Sequence, residues 1–185
     1  MTGQVIWLTG LSGAGKTTVA QITNLRLRNL GLHPVLLDGD ILRTLLENTN
    51  SASETYNRAE RIKFALTYAH LCKILSSQGF TVIIATVSMF QEVYIWNRAN
   101  LLNYFEIYLN VPLDELRRRD PKKIYQRYDA GELINVAGLD LPVDEPFEPH
   151  ITIDFAKNSS LWRSPKVTVE YLITELKEVG FKFTI

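Results

Sequence analysis

Short apolar runs rich in β-branched and aromatic residues recur along the chain, separated by longer stretches with helical periodicity. This alternation predicts strands joined by crossover helices in a mainly parallel sheet. Strands are expected over residues 5–8, 34–37, 81–85, 104–109 and 151–153, and helices over 16–30, 41–46, 59–77, 93–102 and 113–119. A last helix should open at SPKV, where Ser164 can cap and Pro165 can take the first helical position, and run to about residue 179. Between residues 120 and 150 the pattern changes. Basic residues come first, then Gly131, Gly138, Pro142, Pro146 and Pro149 interrupt any regular element, as expected for a working loop or lid.

Composition narrows the class. With 185 residues, 46% hydrophobic and 22% charged, residues 1–185 suit one soluble domain with a well-buried core. Twenty basic and twenty acidic residues cancel, so no general polyanion-binding surface is implied and nucleic acid is not an expected partner. The single cysteine, Cys72, excludes an internal disulfide framework, and His33, His70 and His150 are too scattered to suggest a zinc site. A cytoplasmic location is the expectation. The opening MTGQVIWLTG lacks the charged start and long apolar core of a signal peptide, and no run approaches the length of a membrane span. Trp7 and Cys72 read as core, His70 as structural, and Trp96 as burying one side of its helix.

The strongest chemical signal is GLSGAGKT, residues 10–17, which matches G-x-x-x-x-G-K-[ST] and falls between an expected strand and an expected helix. Glycines allow the backbone to wrap phosphate oxygens, and successive N–H groups with the helix N-terminus supply positive potential. Gly10, Ser12, Gly13, Ala14, Gly15, Lys16, Thr17 and Thr18 are therefore the ATP-binding candidates. Lys16 would reach the outer phosphates and the Thr17 hydroxyl would face Mg2+. The fold class follows: a P-loop NTPase-type, doubly wound parallel α/β sheet flanked by helices, with a lid segment.

LLDGDILR, residues 36–43, ends an apolar strand in two acids separated by one glycine. In an open parallel sheet ligands bind beyond the carboxyl ends of the strands, so Asp38 and Asp40 should emerge beside the phosphate loop. Either could orient magnesium-bound water, and Asp40 could accept a proton from an attacking hydroxyl. The strand over 81–85 ends in ATVS without an acid, which leaves this pair as the best acidic candidates.

Taken together, GLSGAGKTT, LDGDILR, YFEIYLNVPLDELRRRDPKKIY and AGELINVAGLD resemble the adenylyl-sulfate (APS) kinases over nearly the whole chain. The resemblance implies transfer of the γ-phosphate of ATP to the 3'-hydroxyl of adenosine 5'-phosphosulfate. It implies Asp40 as catalytic base or metal-orienting acid, Arg43 and Arg61 as grips on the phosphosulfate end, Ser88 as a substrate contact and Tyr56 as a stacking platform for the acceptor base. Two guanidiniums suit an anionic tail, since they form forked, charge-assisted hydrogen bonds. The alternative for both arginines is an ion pair with Glu47 or Glu60. On the donor side, the resemblance places Arg119 on or beside the ATP adenine and lets Lys122 reach the phosphates as the lid closes. The family carries glycine where Lys123 stands. Relatives commonly form homodimers.

Departures from the family pattern gather on the acceptor-base side. Val136 and Ala137 replace Phe-Thr, Ile134 replaces a lysine, Phe64 replaces an asparagine, and VSMF (87–90) replaces ISPY. An aromatic platform contributes roughly 1–3 kcal/mol of stacking per base, which Phe64 or Phe90 could restore from another direction. Related kinases of capsule-building pathways phosphorylate cytidine diphosphoramidate, and ATVSMFQEVYIWNR resembles them. The expected activity is thus ATP-dependent phosphorylation of the 3'-hydroxyl of a nucleoside 5'-phospho conjugate, with adenylyl sulfate as the default acceptor and cytidine diphosphoramidate as the alternative. A non-catalytic nucleotide-binding regulator and a small-metabolite kinase are the competing classes. Arg43, Arg61 and Tyr56 argue against the latter.

Overall fold

The middle strand of the sheet is β1 (Val5–Thr9), and every one of its residues is buried. In this computed structural model, which describes residues 2–46, 57–157 and 160–183, it pairs with β3 (Val82–Ala85) on one side and β4 (Tyr104–Asn110) on the other. The edges are β2 (Val35–Asp38) and β5 (Ile151–Asp154), giving the order β2-β3-β1-β4-β5 with all pairings parallel. The two-residue period of a strand divides the core. Val5, Trp7, Val82, Ile84 and Tyr104 pack with α3 (Arg58–Ser77) and α4 (Gln91–Asn100), whereas Ile6, Leu8, Ile83, Ile107 and Ile153 pack with α1 (Lys16–Asn29) and α7 (Pro165–Glu178).

The expected core residues are where the pattern puts them. Trp7 and Cys72 are fully buried, and burial pushes the Cys72 thiol up to about 12, so it is inert at neutral pH. Trp96 is half-buried and tilts against the exposed His70 with ring centroids 4.4 Å apart. Helix starts follow local chemistry. Asn57 and Glu60 form a reciprocal capping box on α3, and Ser164 accepts from the N–H of Lys166 ahead of Pro165.

Three boundaries differ from expectation. The helix α2 (Gly39–Leu46) starts before residue 41 because the Asp38 carboxylate accepts the N–H groups of Asp40 (2.9 Å) and Ile41 (3.4 Å). Similarly, α4 starts before residue 93 because Asp144, far along the chain, accepts the N–H of Gln91 at 2.9 Å. The segment after α5 (Leu113–Arg119) is not wholly irregular, since it contains α6 (Ile124–Asp129). Both oxygens of Asp120 cap α6, accepting from Ile124 at 2.8 Å and Gln126 at 2.9 Å. Lys123 keeps the left-handed backbone that a glycine would favour, with φ 54°. No helix among the described residues is long and apolar enough to cross a membrane.

Candidate active site

The loop between β1 and α1 has a left-handed backbone at Gly13 (φ 80°) and Gly15 (φ 92°). At Gly10 the demand is space, because a Cβ there would sit 2.7 Å from the Leu109 carbonyl oxygen. No side chain caps α1, so its first N–H groups are available to an anion. Lys16 is buried and donates to the Leu11 carbonyl at 2.8 Å. Burial lowers its ammonium pKa from 10.5 to about 8, against the pull of Asp40 and Asp38 and aided by the charge of Lys122. Across the loop, the buried Tyr125 of α6 donates its hydroxyl to the Ser12 carbonyl at 2.9 Å and ties the lid to the phosphate loop.

The two acids after β2 are not equivalent. Asp38 holds the N-terminus of α2 through Oδ1 and accepts the Thr17 hydroxyl through Oδ2 at 2.8 Å. Gly39 between them is forced by close approach, since a Cβ would lie 2.8 Å from Oγ1 and 2.9 Å from Cβ of Thr86. Asp40 projects beyond this junction, half-buried, and pairs with Lys122 from the lid and with Arg43 at 3.4 Å. Burial opposes its ionisation, but the hydrogen bond and charge of Lys122, with Arg43 and Lys16, hold its carboxyl below the usual aspartate range. Asp40 is therefore an anion at neutral pH.

These groups share one cavity of about 640 Å³, whose lining includes Ser12, Gly13, Gly15, Lys16, Thr17 and Thr18 of the phosphate loop and α1, together with Asp38, Asp40, Arg43, Arg61 and Lys122. Gly10 and the buried Ala14 shape the loop from beneath rather than lining the cavity. Arg61 donates to the Asn135 carbonyl at 2.8 Å, and burial, then the charge of Arg43, lowers its guanidinium pKa. Neither arginine takes Glu60, which is committed to capping Asn57. A smaller cavity of about 60 Å³ opens beside Asp40, Arg43 and Arg61, where Phe64, Tyr68, Val87, Ser88 and Phe90 form the wall. The Ser88 hydroxyl there lies 2.8 Å from that of Thr86.

On the lid, Asp140 accepts the N–H groups of Asn135 (2.8 Å) and Val136 (2.7 Å), and this turn sets Val136 and Ala137 into the main cavity as apolar lining. Arg119 lies outside that cavity. It covers the rings of Phe155 (5.0 Å) and Trp162 (5.4 Å) while Glu115 holds its Nε at 2.7 Å. Lys122 meets Asp40 in this structure rather than the phosphate loop. Tyr56 and Glu47 lie outside the described residues. Sequence reasoning missed Tyr125, Thr86 and Arg127, of which Thr86 and Arg127 line the main cavity. Among the described residues no group of three or more His, Cys, Asp or Glu gathers as a metal centre.

A model of the adenylylsulphate kinase family matches residues 2–154. The chain belongs to this family. It is accordingly a phosphotransferase of the adenylylsulphate kinase type that uses nucleotide substrates. Its curated relatives include a cytidine diphosphoramidate kinase from Campylobacter jejuni, 39% identical over 93% of this chain and 95% of that protein. An adenylyl-sulfate kinase from Pseudomonas aeruginosa is 38% identical over 94% of this chain and 85% of its own length. Among solved structures, the Mycobacterium tuberculosis APS kinase CysC in complex with AMPPNP and APS superposes with a TM-score of 0.82 at 28% identity, covering 95% of this chain and 98% of that one.

Proposed function

We propose that this kinase transfers the γ-phosphate of ATP to the 3'-hydroxyl of a nucleoside 5'-phospho conjugate, with adenylyl sulfate as the default acceptor. The observation that carries the reading is the position of Asp40, an anion between Lys16 on the phosphate loop and Arg43 beside Arg61, all in one cavity. ATP would seat its phosphates on the α1 N-terminus and Lys16, while Arg43 and Arg61 hold the acceptor's anionic tail. Asp40 takes the proton from the attacking hydroxyl, a contribution on the order of a hundredfold because its depressed pKa makes it a weak base. Lys122 exchanges Asp40 for a phosphate oxygen when ATP arrives, and the lid that carries it excludes water. Arg119, already stacked on aromatic rings, borders the adenine.

The Thr17 hydroxyl and the Asp38 carboxylate, 2.8 Å apart, are hard oxygen donors of the kind that fit Mg2+. When bound there, the ion would neutralise phosphate charge. Asp38 itself fixes Thr17 and the start of α2, which leaves Asp40 to face the acceptor.

A second reading, cytidine diphosphoramidate as the acceptor, is favoured by the apolar wall of Phe64, Val87, Phe90, Val136 and Ala137 and by the relative of that name. The acting unit is proposed to be a cytoplasmic homodimer, on the family resemblance. The test is to incubate the protein with Mg-ATP and each conjugate and follow which gains a phosphate. Asp40→Asn should lower turnover about a hundredfold with ATP affinity retained. Absence of transfer to every adenosine and cytidine conjugate would reject the reading in favour of a non-catalytic nucleotide binder.

A further inference from the structure

We infer that Phe90 sets which base the acceptor carries, and that Arg58 is the positioning residue that holds its ring; this rests on the nucleoside-acceptor reading above. Phe90 occupies the N-cap of α4 with an extended backbone and no side-chain cap of its own. The cap comes from Asp144, whose Oδ2 accepts the Gln91 N–H at 2.9 Å while its own N–H donates to the Met89 carbonyl at 2.9 Å. Tyr94 closes the same junction by donating its hydroxyl to the Asp144 carbonyl at 3.3 Å. The turn that presents Phe90 is thereby stapled to a segment more than fifty residues away.

Arg58 completes the staple from a third direction. Its guanidinium donates to both Glu92 oxygens (2.8 and 3.1 Å) and to Asp144 Oδ2 (2.7 Å), and lies 5.2 Å from the Phe90 ring centroid. Two carboxylates fix the plane of the fork, and the fork fixes the ring. Phe90 is 2% exposed and borders the small cavity, which Arg58 does not line.

That cavity discriminates by shape. Its hydroxyls are engaged, Ser88 with Thr86 at 2.8 Å and Tyr68 with the Gly39 carbonyl at 3.3 Å, its apolar lining is Phe64, Val87 and Phe90, and Asp40, Arg43 and Arg61 complete it. The space is small, about 60 Å³, so admission of a base depends on where the aromatic wall stands. Apolar walls of this kind separate similar ligands by about ten- to two-hundredfold.

The test compares kcat/KM for adenylyl sulfate and cytidine diphosphoramidate, with KM for ATP, in the wild type, Phe90→Leu, Arg58→Gln and Arg58→Lys. Phe90→Leu should change the ratio of the two kcat/KM values about tenfold. Arg58→Gln should move it in the same direction by about threefold, and Arg58→Lys, which keeps the cation over the ring, should recover part of that change. KM for ATP should stay within about twofold of wild type. An unchanged ratio, an equal loss on both acceptors, or a matching rise in ATP KM would overturn the inference. If the wild type phosphorylates neither compound, the functional reading fails first, and calorimetric titration of both conjugates into the four proteins decides the inference by the ratio of their Kd values. Binding of neither conjugate overturns both.

Discussion

Replacing Lys16 with methionine measures how much native stability the site gives up to hold a buried cation. Burial takes its ammonium from 10.5 to about 8, a fall of about 2.5 pH units. At roughly 1.4 kcal/mol per unit, keeping the charge costs the ligand-free protein about 3.5 kcal/mol. The hydrogen bond to the Leu11 carbonyl, 2.8 Å long, returns about 1 kcal/mol. Lys16→Met should therefore stabilise the ligand-free protein by about 2.5 kcal/mol at pH 7 while removing activity. Between pH 8 and 10.5 the unfolded chain holds more protons at this position than the native one, so wild-type stability gains on the variant as pH rises through that window. The variant's advantage is full below pH 8 and fades toward pH 10.5. Urea unfolding of both proteins at pH 7 and pH 10 reads this directly, because the other titrating groups largely cancel in the difference. A variant less stable than wild type at pH 7, or one whose advantage is undiminished at pH 10, would refute the reasoning.

Tyr125→Phe removes the bond from the lid to the Ser12 carbonyl, worth about 1 kcal/mol. KM for ATP should rise about fivefold while that for the acceptor stays level, and steady-state kinetics showing the opposite pattern would count against the tether. Lys123→Gly relieves a left-handed side-chain residue at φ 54° and should stabilise the protein by about 0.5–1 kcal/mol, seen as a Tm about 2 °C higher; a lower Tm would show that the lysine carries a contact that matters more. Gly39→Ala places a methyl 2.8–2.9 Å from Thr86 and should cost about 1–3 kcal/mol in denaturant unfolding, with wild-type stability as the contrary result.

The parts of this architecture that were legible in the sequence are those in which a short local pattern carries the physics. Val5, Trp7, Ile6 and Leu8 reveal a strand buried on both faces, and GLSGAGKT encodes its own backbone geometry. What was hidden depends on distant partners or on elements too short to show a period. Six residues cannot display a helical repeat, so α6 rests on the Asp120 cap and on Tyr125 reaching a loop more than a hundred residues earlier. The start of α4 depends on Asp144 in the same way. LDGD marks both acids as candidates and both line the cavity, but only three dimensions separate Asp38, whose oxygens are taken by Thr17 and α2, from Asp40, which pairs with Lys122 and Arg43. Lys122 is expected at the phosphates, and a sequence cannot say that Asp40 is the anion this long cation meets.

The clasp at Asp38 ties α1 to α2 through a single carboxylate, one oxygen for each. A change there would loosen both helices at once, so this seam tolerates little drift. Ile134 and Phe64, which line the two cavities, take no part in those bonds. On the proposed reading, the acceptor wall can therefore be repainted while the clasp stays put.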